Sequence, residues 1–598
     1  MSLIVDRRNL SFVLHEWLDV GQLFAYERFA AHDREIVDAT LDLAESMAEG
    51  RFLPLAAVAD AQEPAFVDGR VRMLPEIKTA LTEFAEAGMF AASFSEADGG
   101  LQLPWVVTQS AMGIFMAANL PVVNYAFLTI AAANLISAFG SEKQRSAFLP
   151  SMLEGRWFGT MCLSEPQAGS SLGDITTKAT PTGDGLYRIS GSKMWISAGD
   201  HELSENIVHL VLARIDAAPA GVKGISLFLV PRYRLDSEGR PGQWNNVALA
   251  GLNNKMGQRA TVNCLLNFGE GGDCIGELVG EPNKGLSNMF HMMNEARVGV
   301  GQGAVMLALA GYLNSLSFAR ERLQGRLPDN KDATSDQVPI IQHVDVKRML
   351  LMQKSTVEGA LALTSFCALL VDQLRLSTDS KEVEDLELLL GVLTPVAKSW
   401  PAEHCLEANK WAIQVLGGYG YTVDFPVERL YRDNRLNHIH EGTFGIQGRD
   451  LLGRKVRLKD GRGLSLLMSR IEATLYAAKD VAALSSEAEA IETALNELKV
   501  ATDAVTAAQD QEIALANATL YLDAFGTIVI AWLWLWQGIV AHKALQDGSG
   551  NEEEKSFYHG KIAALHYHFR YALPQVHATL KLVATLDDTC ESIQSEYF

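Results

Sequence analysis

The sequence predicts an α+β fold in which a middle antiparallel β domain separates helical domains, and three observations lead to this expectation. Apolar residues recur at steps of three and four before about residue 155 and again after about residue 285. Between these positions the period changes, and short β-rich runs alternate with clusters of Gly, Pro, Asp and Asn. A chain of 598 residues is also too long for one compact core.

We therefore expect four domains along the chain. They are an N-terminal helical domain, a middle β domain, a helical-bundle domain and an extra C-terminal helical domain, at residues 1–155, 156–285, 286–458 and 459–598. The β domain should be mainly antiparallel, because its connections are too short to hold crossover helices.

Two uncharged stretches raise the question of membrane spans. Residues 111–136 contain Pro121, which predicts two buried helices rather than one span. Residues 524–541 number 18, whereas a span needs about 20. Their three Trp residues lie in the middle of the stretch, although membrane aromatics favour the two interfaces. We therefore expect the second stretch inside a helical bundle and not in a membrane.

Composition excludes some classes of function. A net charge of -21 argues against a nucleic-acid partner, because phosphate binding requires clustered Lys and Arg. The six cysteines are scattered without a CxxC pair, which favours a reducing compartment and no structural metal. Charged residues interrupt the first ten positions before an apolar run develops, so we expect no secretory signal and a cytoplasmic location.

The clearest candidate for chemistry is the run at residues 438–447. It places Glu441 on a short turn between glycines, where little side chain crowds the carboxylate. A general base needs such a setting. His438 and His440 stand two residues apart and lack the i, i+4 spacing that lets a helix offer two ligands to zinc. We therefore favour a base over a metal site.

The β domain contains two runs suited to a flat ligand. In the first, residues 161–171, a strand leads into a turn with the hydroxyls of Ser164 and Ser170. In the second, residues 191–197, alternation places Trp195 and Ser197 on one face of a strand, as a stacking and hydrogen-bonding platform. Taken alone, either run is equally typical of an ordinary strand and turn.

Two Gly-rich runs follow in the helical-bundle domain. Residues 299–304 fit G-x-G-x-x-A, but a dinucleotide fingerprint follows a strand, and the preceding residues have helical periodicity. Close helix packing explains this run better. The other, residues 414–421, would form a loop whose amides approach a phosphate, although a simple helix C-cap would look the same.

In order and spacing, the runs at 162–170, 193–197, 414–420 and 440–443 resemble the acyl-CoA dehydrogenase family, over about residues 35–455. The C-terminal helices add a resemblance to its long subgroup of about 600 residues. The resemblance implies bound FAD and α,β-dehydrogenation of a saturated acyl-CoA to the trans-2-enoyl-CoA. It also implies fatty acid β-oxidation, a homodimer, and electron-transfer flavoprotein as electron acceptor.

The resemblance also implies roles for individual residues. Glu441 would be the catalytic base that removes the α-proton while flavin N5 takes the β-hydride. Ser164 and Ser197 would bond the flavin ring, with Trp195 stacked on it, and Ser170 and Arg297 would bind the acyl-CoA. The remaining FAD contacts would come from Thr443 and Gln447 and, toward a neighbouring subunit's FAD, from Arg322, Gln414, Gly417 and Gly418.

Three other functions occur on the same fold. An acyl-CoA oxidase or a desulfinase-type flavoenzyme would share the domains, but several such relatives replace the base or its surroundings, and Glu441 is intact here. A catalytically silent relative of the DNA-damage-response type would need a basic face, which the net charge of -21 opposes.

Overall fold

The computed structural model of the protein describes residues 2–548 and 550–598, except the side chains of residues 291–293. The helices, in chain order, are α1 Arg7–Ser11, α2 Arg34–Met47, α3 Ala56–Ala61, α4 Pro75–Glu86, α5 Trp105–Phe139, α6 Glu142–Leu153, α7 Gly285–Glu321, α8 Val344–Leu376, α9 Ser380–Leu416, α10 Val427–Asn434, α11 Phe444–Gly453, α12 Arg462–Ala478, α13 Ser485–Ala507, α14 Gln511–Leu515, α15 Ala518–Asp547, α16 Glu552–Tyr567, α17 Gln575–Ala584 and α18 Thr589–Ser592. The strands are β1 Ala65–Val67, β2 Arg70–Arg72, β3 Trp157–Cys162, β4 Lys178–Pro181, β5 Tyr187–Ser197, β6 Asn206–Ile215, β7 Ile225–Pro231, β8 Tyr233–Leu235, β9 Pro241–Trp244, β10 Val247–Leu252, β11 Asn263–Phe268 and β12 Ile275–Val279.

The chain divides into two compact units. One comprises residues 35–296, and the other comprises residues 1–34 together with 297–598. This differs from the expected N-terminal domain of residues 1–155, because the first 34 residues group with the C-terminal half of the chain. The small hairpin of β1 and β2 also lies in a region that was expected to be wholly helical.

Residues 1–34 join the second unit through contacts with α16. The Arg8 guanidinium lies 2.6 Å from a Glu554 carboxylate oxygen, and the Lys561 ammonium donates to Asn9 Oδ1 at 2.8 Å. Lys561 is 1 % exposed, so this polar contact lies in the interior. Periodicity predicted the apolar face of the N-terminal segment, but it carries no information about which distant helix covers that face.

The 35–296 unit is built around an eight-stranded sheet. Its order is β10-β11-β5-β12-β7-β6-β3, and β4 pairs with both β5 and β6. Most pairs are antiparallel, as the short connections predicted, while β3–β6 and β4–β6 are parallel. Strands β6 and β7 are almost wholly buried, so the sheet forms the core of this unit.

Helix α5 consists of two helical segments, as Pro121 predicted. The backbone leaves helical geometry at Asn119 (φ -162°), two residues before the proline, whose ring cannot follow an ideal helical turn. The Asn119 side chain donates to the Phe52 carbonyl at 3.1 Å, which satisfies a polar group inside the unit.

The second unit is a helical bundle around α8, α9 and α15. Trp532 and Trp534 of α15 are 1 % and 0 % exposed, so the Trp-rich stretch lies in the interior, as expected from the sequence. Among the described residues, four helical segments are long and apolar enough to cross a membrane by length and composition: residues 105–139, 294–321, 344–376 and 511–547. The most apolar windows of the last three are at least 89 % buried in the protein.

In the run at 299–304, Gly301 serves helix packing. Gly301 lies inside α7, and a Cβ at this position would approach the Ala397 carbonyl oxygen of α9 to 1.9 Å. Since no side chain fits there, the glycine allows α7 and α9 to touch. At Gly301, the interpretation of this run as a packing motif is confirmed.

Candidate functional site

Strand β5 presents an open aromatic face in the 35–296 unit. Trp195 has a left-handed backbone (φ +65°) at a bulge, where the pairing register with β11 shifts between Cys264 and Leu266. The indole is 60 % exposed, whereas the next residue, Ile196, is buried and Ser197 again lies on the open side. The strand therefore carries an indole and a hydroxyl side by side.

A buried ion pair anchors this face to the preceding turn. The Lys193 ammonium lies 2.9 Å from a Glu165 carboxylate oxygen, and the two side chains are 0 % and 1 % exposed. The hydroxyl and N–H groups of Thr176 and Thr177 also donate to this carboxylate. Burial alone would raise the pKa of Glu165, but Lys193 and these donors outweigh it and lower the pKa to about 2.

The two serines of the turn differ in their surroundings. The Ser164 carbonyl accepts a hydrogen bond from the Met194 N–H at 3.0 Å, so Ser164 lies beside β5. Ser170 lies farther along the turn and is exposed. The structure thus brings Ser164 together with the strand of Trp195 and Ser197. Sequence reasoning gave no role to Glu165 or Lys193, since neither motif indicated that the two side chains meet.

The second unit contains the turn of Glu441. Glu441 and Gly442 both have left-handed backbones, with φ of +53° and +89°. The Gln447 amide donates to the Glu441 carbonyl at 2.9 Å, and a Cβ on residue 442 would lie 2.6 Å from that amide nitrogen. A glycine is therefore required at 442 on both conformational and steric grounds. A non-glycine residue held in this region is typical of functional sites.

Buried charges surround the turn. Lys398 of α9 is 0 % exposed, and its ammonium donates to the Gly442 carbonyl at 2.7 Å. Arg297 of α7 is 6 % exposed, and its guanidinium lies 3.4 Å from Asp450. Burial raises the pKa of Glu441, while the charges of Arg297 and Lys398 act to lower it. Burial also lowers the pKa of Lys398 to about 7, against the opposing effect of Glu441.

The histidines beside Glu441 pack around its turn, and His438 is held by neighbouring side chains. The His438 ring stacks on Phe444 with centroids 4.8 Å apart, and its Nε2 lies 2.6 Å from a Glu403 oxygen. Burial and the nearby Lys398 lower the pKa of His440 to about 3, so this imidazole is neutral at pH 7. Within residues 2–548 and 550–598, no three His, Cys, Asp or Glu side chains are grouped as metal ligands.

Two residues expected to hold the cofactor lie at the start of α11. Thr443 is exposed and caps the helix, with its hydroxyl oxygen 3.4 Å from the Ile446 N–H. Gln447 is 0 % exposed, and its amide holds the Glu441 carbonyl. Gln447 therefore supports the turn, and its contact with the cofactor stays a prediction. The sequence did not predict this support, because a hydrogen bond from residue 447 back to residue 441 depends on the left-handed turn between them.

The residues expected to reach a neighbouring subunit are exposed at the end of α9. Gln414, Gly417 and Gly418 are open to solvent, and Gly417 has a φ of +61°. The Arg322 guanidinium lies 5.6 Å from the centre of the Tyr419 ring, within the same surface. Arg322 thus lies beside the glycine loop, as the motif order implied. Contact with a second subunit stays a prediction.

Family models cover most of the chain. Residues 37–156 match the acyl-CoA dehydrogenase N-terminal domain, 160–269 the middle domain and 283–456 the C-terminal domain. Residues 467–594 match a model described as acetyl-CoA dehydrogenase C-terminal like.

Individual relatives are similar along nearly their whole length. The chain is 36 % identical to 3-methylmercaptopropionyl-CoA dehydrogenase of Ruegeria pomeroyi, over 92 % of each chain. It is 33 % identical to a broad-specificity linear acyl-CoA dehydrogenase of Mycobacterium tuberculosis, over 99 % of each. Among solved structures, an acyl-CoA dehydrogenase of Bacillus anthracis complexed with FAD has a TM-score of 0.72 at 20 % identity, over 92 % of this chain and 89 % of that one. The last likeness supports the fold.

Proposed function

Because the chain belongs to the acyl-CoA dehydrogenase family, we propose that it converts a saturated acyl-CoA thioester to the trans-2-enoyl-CoA with Glu441 as the base. It is a FAD-dependent enzyme, as members of this family are. The observation that carries the proposal is the Glu441 turn, which holds a carboxylate of raised pKa on a left-handed residue.

The residues on β5 fit a flavin. A 60 % exposed indole with a hydroxyl beside it offers a flat apolar surface and a hydrogen-bonding group to a planar heterocycle. We infer that Trp195 stacks on the ring and that Ser164 and Ser197 bond its polar edge. When bound, FAD supplies the acceptor for the β-hydride. The buried pair of Glu165 and Lys193 would keep this surface in place without touching the ring.

Glu441 has the properties that proton abstraction requires. A thioester acidifies the neighbouring α C–H, and a base works best when its pKa lies near the operating pH. Burial raises the pKa of Glu441 toward that range, and the charges of Arg297 and Lys398 oppose this rise and favour the ionised form. Among the described residues the Glu441 N–H has no acceptor, so it can donate to the thioester oxygen as negative charge develops there.

We further infer that the working enzyme is a cytoplasmic homodimer in β-oxidation that passes electrons to an electron-transfer flavoprotein. The exposed group of Arg322, Gln414, Gly417 and Gly418 supports a subunit contact, because these residues present a guanidinium cation and a glycine loop without side chains toward solvent. An FAD pyrophosphate of a second subunit is the anion that this group would hold. Ser170 and Arg297 are the residues proposed to bind the acyl-CoA.

The test follows the flavin absorbance under anaerobic addition of acyl-CoAs of increasing length and branching. The wild-type protein should be yellow and should bleach with at least one saturated acyl-CoA. Glu441→Gln should retain FAD and bind the thioester, yet bleach about 10²- to 10⁴-fold more slowly. Glu407→Gln, a carboxylate of α9 that is 40 % exposed and paired with Lys410, serves as the matched control and should bleach at the wild-type rate.

Two results would contradict the proposal. If no saturated acyl-CoA bleaches the wild-type flavin, the chain is not a dehydrogenase of these substrates. If Glu441→Gln bleaches at the wild-type rate, another residue is the base. Rapid re-oxidation of the bleached flavin by air would instead favour the oxidase.

A further inference from the structure

Two side chains hold two consecutive carbonyls of the Glu441 turn. The Gln447 amide donates to the Glu441 carbonyl at 2.9 Å, and the Lys398 ammonium donates to the Gly442 carbonyl at 2.7 Å. In a trans peptide the C=O and N–H groups point in opposite directions. Anchoring both carbonyls to the interior therefore directs the N–H groups of Gly442 and Thr443 away from these anchors and fixes the left-handed turn.

The environment of Lys398 is unusual for a buried lysine. Its side chain is 0 % exposed, yet among the described residues no carboxylate oxygen lies within 4.0 Å of its ammonium. Buried charges are normally paired. The charged groups that influence it are Glu441 of the turn and Arg297 of α7, while His440 is neutral at pH 7. Its positive charge therefore acts on the proposed base, Glu441, and is not neutralised by another carboxylate in an ion pair.

We propose that Lys398 is a positioning residue for the proposed reaction: its ammonium fixes the turn through the Gly442 carbonyl, and its charge favours the ionised form of Glu441. This inference rests on the proposed role of Glu441 as the base. It assigns two tasks to one side chain. The hydrogen bond sets the direction of the carboxylate, and the charge offsets the effect of burial on that carboxylate.

The charge is available only over part of the pH range. Burial lowers the pKa of Lys398 to about 7 from its ordinary 10.5. As the pH rises through this value, the ammonium becomes a neutral amine and its attraction to Glu441 is lost. Arg297 remains as the second cation near the carboxylate. The removal of Lys398 should therefore raise the pKa of Glu441, while Arg297 continues to favour the ionised carboxylate.

The experiment compares the pH profiles of kcat for the wild-type protein and Lys398→Met, with flavin content measured in parallel. Met keeps an unbranched side chain, one atom shorter than that of Lys, and removes the donor and the charge. The acid limb of the profile should move up by about 1 pH unit, and kcat at neutral pH should fall about tenfold, with a smaller change in KM. Lys398→Arg keeps the charge and should restore the wild-type position of the limb. Lys410→Met, on the exposed side of α9, is the matched control and should change neither.

Thermal unfolding gives a readout that does not depend on activity. In the unfolded chain Lys398 binds its proton up to about pH 10.5, but in the folded protein only up to about 7. Stability therefore rises with pH between these values, and the Tm of the wild-type protein should gain on that of Lys398→Met above pH 7. An unmoved acid limb in a folded, flavin-loaded Lys398→Met would overturn the inference, as would a Tm difference that stays constant with pH. Failure of the wild-type flavin to bleach would instead overturn the role of Glu441 itself.

Discussion

Lys193 of the β5 face and Lys398 beside the Glu441 turn are both removed from solvent. Each anchors a segment in which a candidate functional residue, Trp195 or Glu441, has a left-handed backbone. Lys193 faces a carboxylate at 2.9 Å, whereas Lys398 faces a neutral carbonyl at 2.7 Å. When a buried lysine is paired with a carboxylate, its charge is neutralised within the ion pair and stabilises the fold. A lysine held by a carbonyl leaves its charge to act on other groups.

The two carboxylates near these lysines also differ, in the number of hydrogen bonds they accept and in the direction of their pKa shifts. Glu165 accepts six hydrogen bonds, and its pKa falls to about 2. Glu441 accepts none from the described residues, and burial raises its pKa. Full satisfaction by donors makes a carboxylate inert, while burial without donors makes it a proton acceptor. The same pair of residue types thus builds a support in one unit and a candidate base in the other.

Removal of the Glu165 carboxylate from its buried ion pair with Lys193 should have the largest effect on stability. Glu165→Gln leaves the Lys193 ammonium buried without its counterion, so we expect a loss of about 3–5 kcal/mol in the free energy of unfolding. Urea denaturation followed by circular dichroism measures it. The loss should shrink as the pH falls from about 4.5 toward 2, because over this range the carboxyl group is protonated in the unfolded wild-type chain and still ionised in the folded protein, so the stability that the ionised form contributes is progressively lost.

A double variant is the control for this prediction. Glu165→Leu with Lys193→Met replaces both charges by apolar groups and should lose less stability than Glu165→Gln alone. If the single variant were as stable as the wild-type protein, Lys193 would have to find another partner or lose its proton. The comparison between the two lysines would then fail, since Lys193 would resemble Lys398.

Much of the architecture follows from patterns that neighbouring residues carry. Helical and strand periods predicted the fold class, and alternation predicted that Trp195 and Ser197 share the open face of β5. Pro121 predicted the break in α5. The run of Glu441 and its glycines indicated a presented carboxylate. Each of these inferences depends on residues a few positions apart.

The missed features depend on contacts between distant residues. Lys193 meets Glu165 across 28 positions, and Lys398 meets Gly442 across 44. The segment 1–34 joins a unit that begins again at residue 297. A lysine in a helical pattern predicts an exposed face, because charged residues are rarely buried. Only the packing of α9 against the turn reveals that Lys398 is inside.

Gln447 anchors the same turn as Lys398 but carries no charge, so its removal separates the effect of geometry from that of charge. Gln447→Leu removes the donor to the Glu441 carbonyl at nearly constant volume and without a change of charge. An unsatisfied buried carbonyl costs about 1–3 kcal/mol, so we expect a loss of stability in that range and a lower kcat. The acid limb of the pH profile should not move. A shift as large as that of Lys398→Met would mean that geometry, and not charge, determines the ionisation of Glu441.

The smallest expected effect concerns Thr443, which caps α11 directly after the turn. Thr443→Ala removes the oxygen that accepts the Ile446 N–H and should cost about 1 kcal/mol of stability, while Thr443→Ser should keep most of it. If the hydroxyl also binds the cofactor, the FAD dissociation constant should rise in Thr443→Ala and remain near the wild-type value in Thr443→Ser. Calorimetric titration of the apoprotein with FAD measures this. An unchanged constant in both variants would restrict Thr443 to capping, and the turn would then depend on Gln447 and Lys398 as its side-chain anchors.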